Sequence, residues 1–374
     1  MSDNQSDRYL EMNSGFMLYF SEMKDPRVER TKHHLLGDIM FITIAAVLSG
    51  AETWNAIEDY GLAKKDWLKG ILELPNGIPS HDTFNRLFAT IDADEFESVF
   101  LKWIKSIQTQ TKGEVISLDG KTMRGTRING SKYATHIVSA WADKNELILG
   151  QIKVDEKSNE ITAIPKLLDV LLLKGTTITI DAMGCQKKIA RKIVSKGANY
   201  ILSVKENQGE LFDDIKDSFK VIKPSEYHQY TDFGHGRIEE RKCSVITDLG
   251  LVENASKWKN LESIVRMERT RFFKATGKEQ TETSYYISTL NNANEISNGI
   301  RKHWGIENKV HWILDVAFNE DYSRKRIGNV AKNFTNINRI AINMLRSDDK
   351  KASMVRKRLA AGWDNDYMLK LLKI

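Results

Sequence analysis

The chain has 374 residues, 41% of them hydrophobic and 28% charged, and a net charge of +6. That length holds one large domain or two to three ordinary ones. The longest apolar run, Ile39 to Leu48, contains Thr43 and falls far short of the ~20 residues of a membrane span, so no membrane role is expected. Two cysteines, Cys185 and Cys243, and a polar stretch Met1 to Arg8 where a secretory leader would be greasy, point to a reducing cytoplasm.

In chain order, the first hundred residues read as helical. His33 to Gly50 carries Leu35, Leu36, Ile39, Ile42, Val47 and Leu48 at helical spacing and closes on a glycine. Ala51 to Tyr60 and Ala63 to Leu74 continue the pattern, Pro79-Ser80-His81-Asp82 looks like an N-cap for Thr83 to Thr90, and Asp94 to Gln110 is amphipathic. Short helices joined by tight turns fit a DNA-reading helical domain or a plain bundle equally well. From Val115 the texture changes. Val115–Leu118, Thr135–Trp141 and Leu147–Val154 read as a meander. They are followed by a helix at Ile161–Leu173, a strand at Thr176–Ile180, a helix at Lys187–Lys196 and a strand at Tyr200–Val204. That order predicts an α/β fold with a ribonuclease-H-like mixed-sheet core, its first and fourth strands side by side. Residues 211–290 read as a β-rich insertion, with strands at Cys243–Ile246, Ser263–Arg271 and Ser284–Ile287. Helices resume at Asn294. The expected division is a helical domain at 1–112 and a catalytic domain at 113–374.

Two acids end apolar strands: Asp119 in Ser117-Leu118-Asp119-Gly120-Lys121 and Asp181 in Ile178-Thr179-Ile180-Asp181. A carboxylate at a strand end is costly to bury unpaired. Two aspartates on one sheet edge, with a glutamate on a later helix, form the hard-oxygen set that holds divalent ions for phosphodiester chemistry. The helix offers a stripe, His303, Glu307, His311 and Asp315, whose members drift only about 40° per step because four residues turn a helix about 400°. A zinc site on this stripe is the rival, but the His-Glu-x-x-His pattern is absent. Glu307 reads as the metal carboxylate, and the histidines as contacts to DNA or water. Gly120 should let a substrate backbone approach.

Around the acids, Lys121, Arg124, Lys205, Asn207, Gln208, His235 and Arg237 suggest a phosphate-lined path. Trp304 and Trp312 flank the stripe and either pack in the core or stack on unpaired bases, with Asn308 a candidate DNA contact beside them. From Arg301 to Ile374 there are 16 Lys/Arg against 8 Asp/Glu, so the rest of the chain nets −2; Arg324-Lys325-Arg326 and Arg356-Lys357-Arg358 are the densest clusters. Such an end suits a polyanion or is a solvated helix face. No phosphate-binding Gly-x-x-x-x-Gly-Lys-Ser/Thr loop, Gly-x-Ser-x-Gly elbow or zinc-finger cysteine pair is present.

Taken together, Asp25-Pro26-Arg27 with His34-Leu35-Leu36-Gly37-Asp38-Ile39, Leu118-Asp119-Gly120-Lys121, Ile180-Asp181-Ala182-Met183-Gly184-Cys185-Gln186, His235-Gly236-Arg237-Ile238-Glu239, and His303-Trp304-Gly305-Ile306-Glu307-Asn308 with His311-Trp312-Ile313-Leu314-Asp315 resemble the DDE transposases of bacterial insertion sequences, in particular the H-repeat-associated group. The resemblance spans nearly the whole chain. It implies Asp119, Asp181 and Glu307 as a catalytic triad using Mg²⁺, with Mn²⁺ as substitute. It also implies double-stranded DNA, element ends and target, as substrate, and a homodimer on DNA. A broader group carries Arg four before and Lys seven after the glutamate; here those positions are His303 and Leu314. The expected activity is metal-dependent strand cleavage and strand transfer. The alternatives are a catalytically silent DNA-binding remnant and a nuclease without strand transfer.

Overall fold

The computed structural model describes residues 15–109, 112–127, 134–154, 159–234 and 236–373. Its first part is helical: α1 (Phe16–Phe20), α2 (Leu36–Leu48), α3 (Trp54–Ala63), α4 (Lys65–Lys69), α5 (His81–Thr90) and α6 (Ala93–Ile107). α2 is apolar all round and buried from Asp38 to Leu48, so it is the axis on which its neighbours pack. The Asp92 carboxylate accepts from the backbone N–H of Asp94 and Glu95, which fixes where α6 begins.

The sheet follows. β1 (Val115–Met123), β2 (Thr135–Ala142) and β3 (Leu147–Val154) form an antiparallel meander; α7 (Glu160–Val170) leads to β4 (Thr177–Ile180), and α8 (Lys187–Ser195) to β5 (Asn199–Val204). β4 pairs with β1 and β5 with β4, both parallel. The strand order 3-2-1-4-5 is the ribonuclease-H-like arrangement read from the sequence, with the first and fourth strands adjacent.

Residues 211–290 depart from expectation in two ways. They open in a helix, α9 (Gly209–Val221), and contribute four long strands: β6 (Glu226–Gly234), β7 (Arg237–Ile246), β8 (Ser263–Phe273) and β9 (Glu279–Ser288). Those strands do not stand apart. β9 pairs antiparallel with β5, so the segment prolongs one nine-stranded sheet, ordered β3-β2-β1-β4-β5-β9-β8-β7-β6. The unexpected strand, β6, has a mostly exposed burial pattern and lacks the apolar alternation by which a strand is read.

The last helices close the molecule: α10 (Ala293–Ile306), α11 (Trp312–Val316), α12 (Val330–Ser347), α13 (Met354–Trp363) and α14 (Asn365–Leu372). α12 is buried from Asn333 to Leu345 although it carries asparagines and an arginine. Each polar group there needs a partner, and most of them tie two parts of the fold together. Asn333 Nδ2 donates to Phe88 O and Ile91 O, while Asn343 donates to Ile148 O and accepts from Ile148 N along the free side of β3. Arg339 pairs with Glu320 at 2.7 Å, both fully buried. One apolar core therefore runs from Phe16 through the sheet to Leu372.

Candidate active site

The register between β1 and β4 ends on Leu118 opposite Ile180, so the next residues, Asp119 and Asp181, fall side by side. Adjacent strands lie about 4.8 Å apart, which sets the two aspartates against each other. Side chains alternate along a strand, so Ser117 and Asp119 share a face, as do Thr179 and Asp181. α10 lies on that face. His303 Nδ1 meets Thr179 Oγ1 at 3.0 Å, Thr179 Oγ1 donates to Ser117 Oγ at 3.1 Å, and Ser117 Oγ donates to Lys302 O at 3.4 Å. This chain of bonds pins the helix to both strands one turn before Glu307.

Helix and strand then advance together. Two strand residues rise ~6.6 Å and four helical residues ~6 Å, so the step from Asp119 to Lys121 on β1 matches the step from His311 to Asp315 on the helix. His311 Nδ1 reaches Asp119 Oδ2 at 3.3 Å, and Lys121 Nζ reaches Asp315 at 2.6 Å and Asp321 at 3.3 Å. Between Glu307 and His311 the helix widens into a single π turn, a distortion often found at functional sites.

The charges record this gathering. Burial, then the negative charges of Glu160 and Asp119, raise the Asp181 carboxyl above its ordinary value, against hydrogen bonds from Gly184 and Met183 N–H. Burial, then Asp119, raise Glu307, while His311 pulls it back. Asp119 is thus the common electrostatic neighbour of the other two acids. Burial lowers His303, which favours the neutral ring.

The other expected contacts divide. His303 and His311, expected to face DNA or water, turn inward to Thr179 and Asp119. Lys121 is held by Asp315 and Asp321 and is buried. Asn207 Nδ2 donates to Ala182 O and Gln208 Nε2 to Cys185 O, so both amides fasten the turn that carries Asp181. Lys325 is folded in: its amine donates to Glu52 O, lies 3.7 Å from the Phe334 ring centre, and burial pushes it down to about 8. Arg326 donates to Gly125 O. Arg124, Lys205, Asn308 and Arg324 are exposed, Trp304 is 44% exposed, and Arg237 is half-buried against Glu239. His235 lies outside the described residues. In the basic run at 356–358, Arg356 is exposed, but Lys357 and Arg358 turn inward, Lys357 donating to Leu345 O and Asp348 O and Arg358 to Val47 O, where they cap helix ends.

One acid went unforeseen. Glu160, the first residue of α7, accepts from or donates to His136 Nε2 at 2.7 Å, and His136 Nδ1 meets Thr122 Oγ1 at 2.7 Å. A Cβ on Gly120 would collide with Glu160 Oε1 and lie 2.6 Å from His136 Nε2. The room expected for substrate at Gly120 is taken by these two side chains. Cys185 and Cys243 are buried free thiols, each pushed up to about 12 by burial, as expected of inert core cysteines.

The donor set is hard oxygen throughout and its members repel one another, which is what a divalent cation relieves. In this geometry, among the described residues, no three His, Cys, Asp or Glu side chains stand close enough to share one ion. The acids are gathered but not closed.

Residues 17–104 match the domain associated with DDE transposases and residues 110–344 match the transposase DDE domain; the chain belongs to this transposase family. It is 40% identical to "Putative transposase YncI" of Escherichia coli O157:H7 over 95% of this chain and 93% of that protein. It is equally similar, at 40%, to "H repeat-associated putative transposase YhhI" of Escherichia coli K12, over 95% and 97%. "Inactive transposase YbfQ" of the same strain is 52% identical over 14% of this chain and 64% of its own length. Among solved structures, a cryo-EM piggyBac transposase synaptic complex with hairpin DNA aligns with 100% of this chain and 80% of its own, at TM-score 0.45 and 12% identity. Among the described residues no helix is long and apolar enough to cross a membrane.

Proposed function

We propose that this protein cuts and rejoins DNA at the ends of its own mobile element, acting in the cytoplasm as at least a dimer on DNA. The observation that carries the reading is the strand register that sets Asp119 beside Asp181, with Glu307 an electrostatic neighbour of Asp119 on a helix pinned at Thr179. Residues 113–374 would perform the chemistry, and residues 1–112 would contribute to end recognition.

Asp119, Asp181 and Glu307 are the residues that would hold Mg²⁺, or Mn²⁺ in its place. Such an ion supplies Lewis-acid activation of the attacking and leaving oxygens. The chain's own residues set up the rest. His311 orients the Asp119 carboxylate through Nδ1. Asn207 and Gln208 fix the Asp181 turn, and the Lys121–Asp315–Asp321 cluster locks the helix beyond the π turn. Arg124, exposed beside Asp321, and the exposed Arg324 would be available to phosphates.

The test is a strand-transfer assay with labelled element ends and Mg²⁺. Joined product is expected. Cut product alone would make the protein a nuclease, and a shifted band alone a silent DNA-binding remnant. In Asp119→Asn, cleavage should fall at least a hundredfold while the melting temperature holds; full activity in that variant would remove the catalytic assignment.

A further inference from the structure

One carboxylate stands at the candidate site without a part in the triad. α7 begins at Glu160, and Ile164, one turn on, lies on the same face of the helix. A Cβ on Gly184 would come within 3.1 Å of Ile164 Cδ1, so that face of α7 packs against the turn that carries Asp181. Gly184 N–H in turn donates to Asp181 Oδ1 at 3.4 Å. The Glu160 charge weighs on the Asp181 carboxyl ahead of that of Asp119.

Glu160 also reaches β1. The space above the Gly120 Cα is filled by Glu160 Oε1 and by His136 Nε2, which would lie 2.6 Å from a Cβ there. Asp119 and Gly120 face opposite sides of the strand, so α7 and α10 each bring an acid to β1 from their own side. The β1–β4 pairing stops at Leu118–Ile180. Past that pair, among the described residues, no strand pairs with β1 on this side, and a carboxylate from either face can turn into the gap.

His136 is what holds Glu160 back. Its Nε2 meets Glu160 Oε1 at 2.7 Å and its Nδ1 meets Thr122 Oγ1 at 2.7 Å. Thr122 and His136 are register partners on β1 and β2, so strand pairing fixes the ring. Glu160 reaches that ring through a flexible side chain. The two side chains are 15% and 27% exposed, so neither is locked in place by packing. In this geometry, among the described residues, no three acids or histidines close on one ion. Completing the site therefore takes a rotation, and Glu160 has only the imidazole to leave.

We propose that Glu160 is a fourth carboxylate of this site, resting on His136 until a divalent cation binds and then turning from the ring toward Asp181. His136 is a positioning residue in this scheme, which presupposes the metal reading above and adds a residue to it. Opposed negative charges keep Glu160 off the other acids until a cation offsets them.

Two measurements on the full chain test this without reading cleavage. Mn²⁺ binding, counted from the free-ion electron paramagnetic resonance signal, should weaken about tenfold or more in Glu160→Gln, the scale on which a side chain serving a bound ion is felt. That variant keeps the size of the side chain and a hydrogen bond to the ring, so folding should hold. His136→Gln should bind Mn²⁺ as tightly as the native chain or more tightly, because Glu160 then gives up less. With isotope-labelled histidine, saturating Mg²⁺ should shift the His136 ring resonance in the native chain and leave it in place in Glu160→Gln. Equal Mn²⁺ losses in the two variants, no loss in Glu160→Gln, or a His136 resonance that ignores Mg²⁺ or still shifts in Glu160→Gln would each overturn the proposal. If Asp119→Asn loses Mn²⁺ while Glu160→Gln keeps it, the triad stands and the role of Glu160 alone is refuted. A native chain that takes up no Mn²⁺ would overturn the metal reading as well.

Discussion

Gly120 follows Asp119 on β1, and the space a side chain would need is occupied by Glu160 and His136. Both are movable side-chain ends, so Gly120→Ala should fold but break the Glu160–His136 hydrogen bond. The expected loss is about 1 kcal/mol in denaturant titration, with a larger fall in cleavage because Glu160 is a charge neighbour of Asp181. An unchanged His136 imidazole resonance in the variant would show that the pair had not moved. At this scale the sequence was readable where chemistry and strand geometry coincide: an acid closing the apolar strand Ile178-Thr179-Ile180 is conspicuous. Glu160 was not readable, because a glutamate in the first turn of a helix is what the helix dipole alone would select. The inward turn of His311 and Lys121 was equally hidden, since it depends on which helix crosses which strand.

Elements explain why Glu307 arrives where it does. Thr179 links His303 on α10 to Ser117 on β1, so Thr179→Val should cost about 1–2 kcal/mol and depress cleavage beyond that loss, because the helix carrying Glu307 loses its pin. Thermal melts and the cleavage assay, run side by side, separate the two effects. The C-terminal helices have their own fastening at Asp348. Burial works to raise its carboxyl, but hydrogen bonds from Lys370, Tyr367 and the Lys350 N–H, with the Lys357 charge, bring it down to about 2. A depressed folded value gives stability that is complete above the ordinary 3.8 and is lost as pH falls toward about 2. Acid melts between pH 5 and about 2 should therefore show a steeper decline in the native chain than in Asp348→Asn. The other helices and the first five strands were legible because their periodicity is local, but α9 was not, and the joining of β9 to β5 brings together residues more than eighty positions apart, which no window of sequence displays.

At the scale of the whole molecule, the last helices join the N-terminal helices to the sheet. α12 donates from Asn333 to the helical N-terminal part and from Asn343 to the sheet, and Arg358 on α13 caps α2 through Val47 O. Residues 113–374 produced alone would expose the apolar surface that α2, α5 and α6 cover. That fragment is expected to aggregate or to lose its cooperative thermal transition, as size-exclusion chromatography and circular dichroism would report. A monodisperse fragment with a sharp transition would contradict the shared core.

A nine-stranded open sheet has two unpaired margins, and a bare margin recruits strands from other chains. On β3, the Asn343 side chain bonds both backbone groups of Ile148, the way another strand would. Strand-to-strand joining of two copies, or accidental fibre growth, is thereby directed to the far margin at β6, and contact elsewhere would run through side chains.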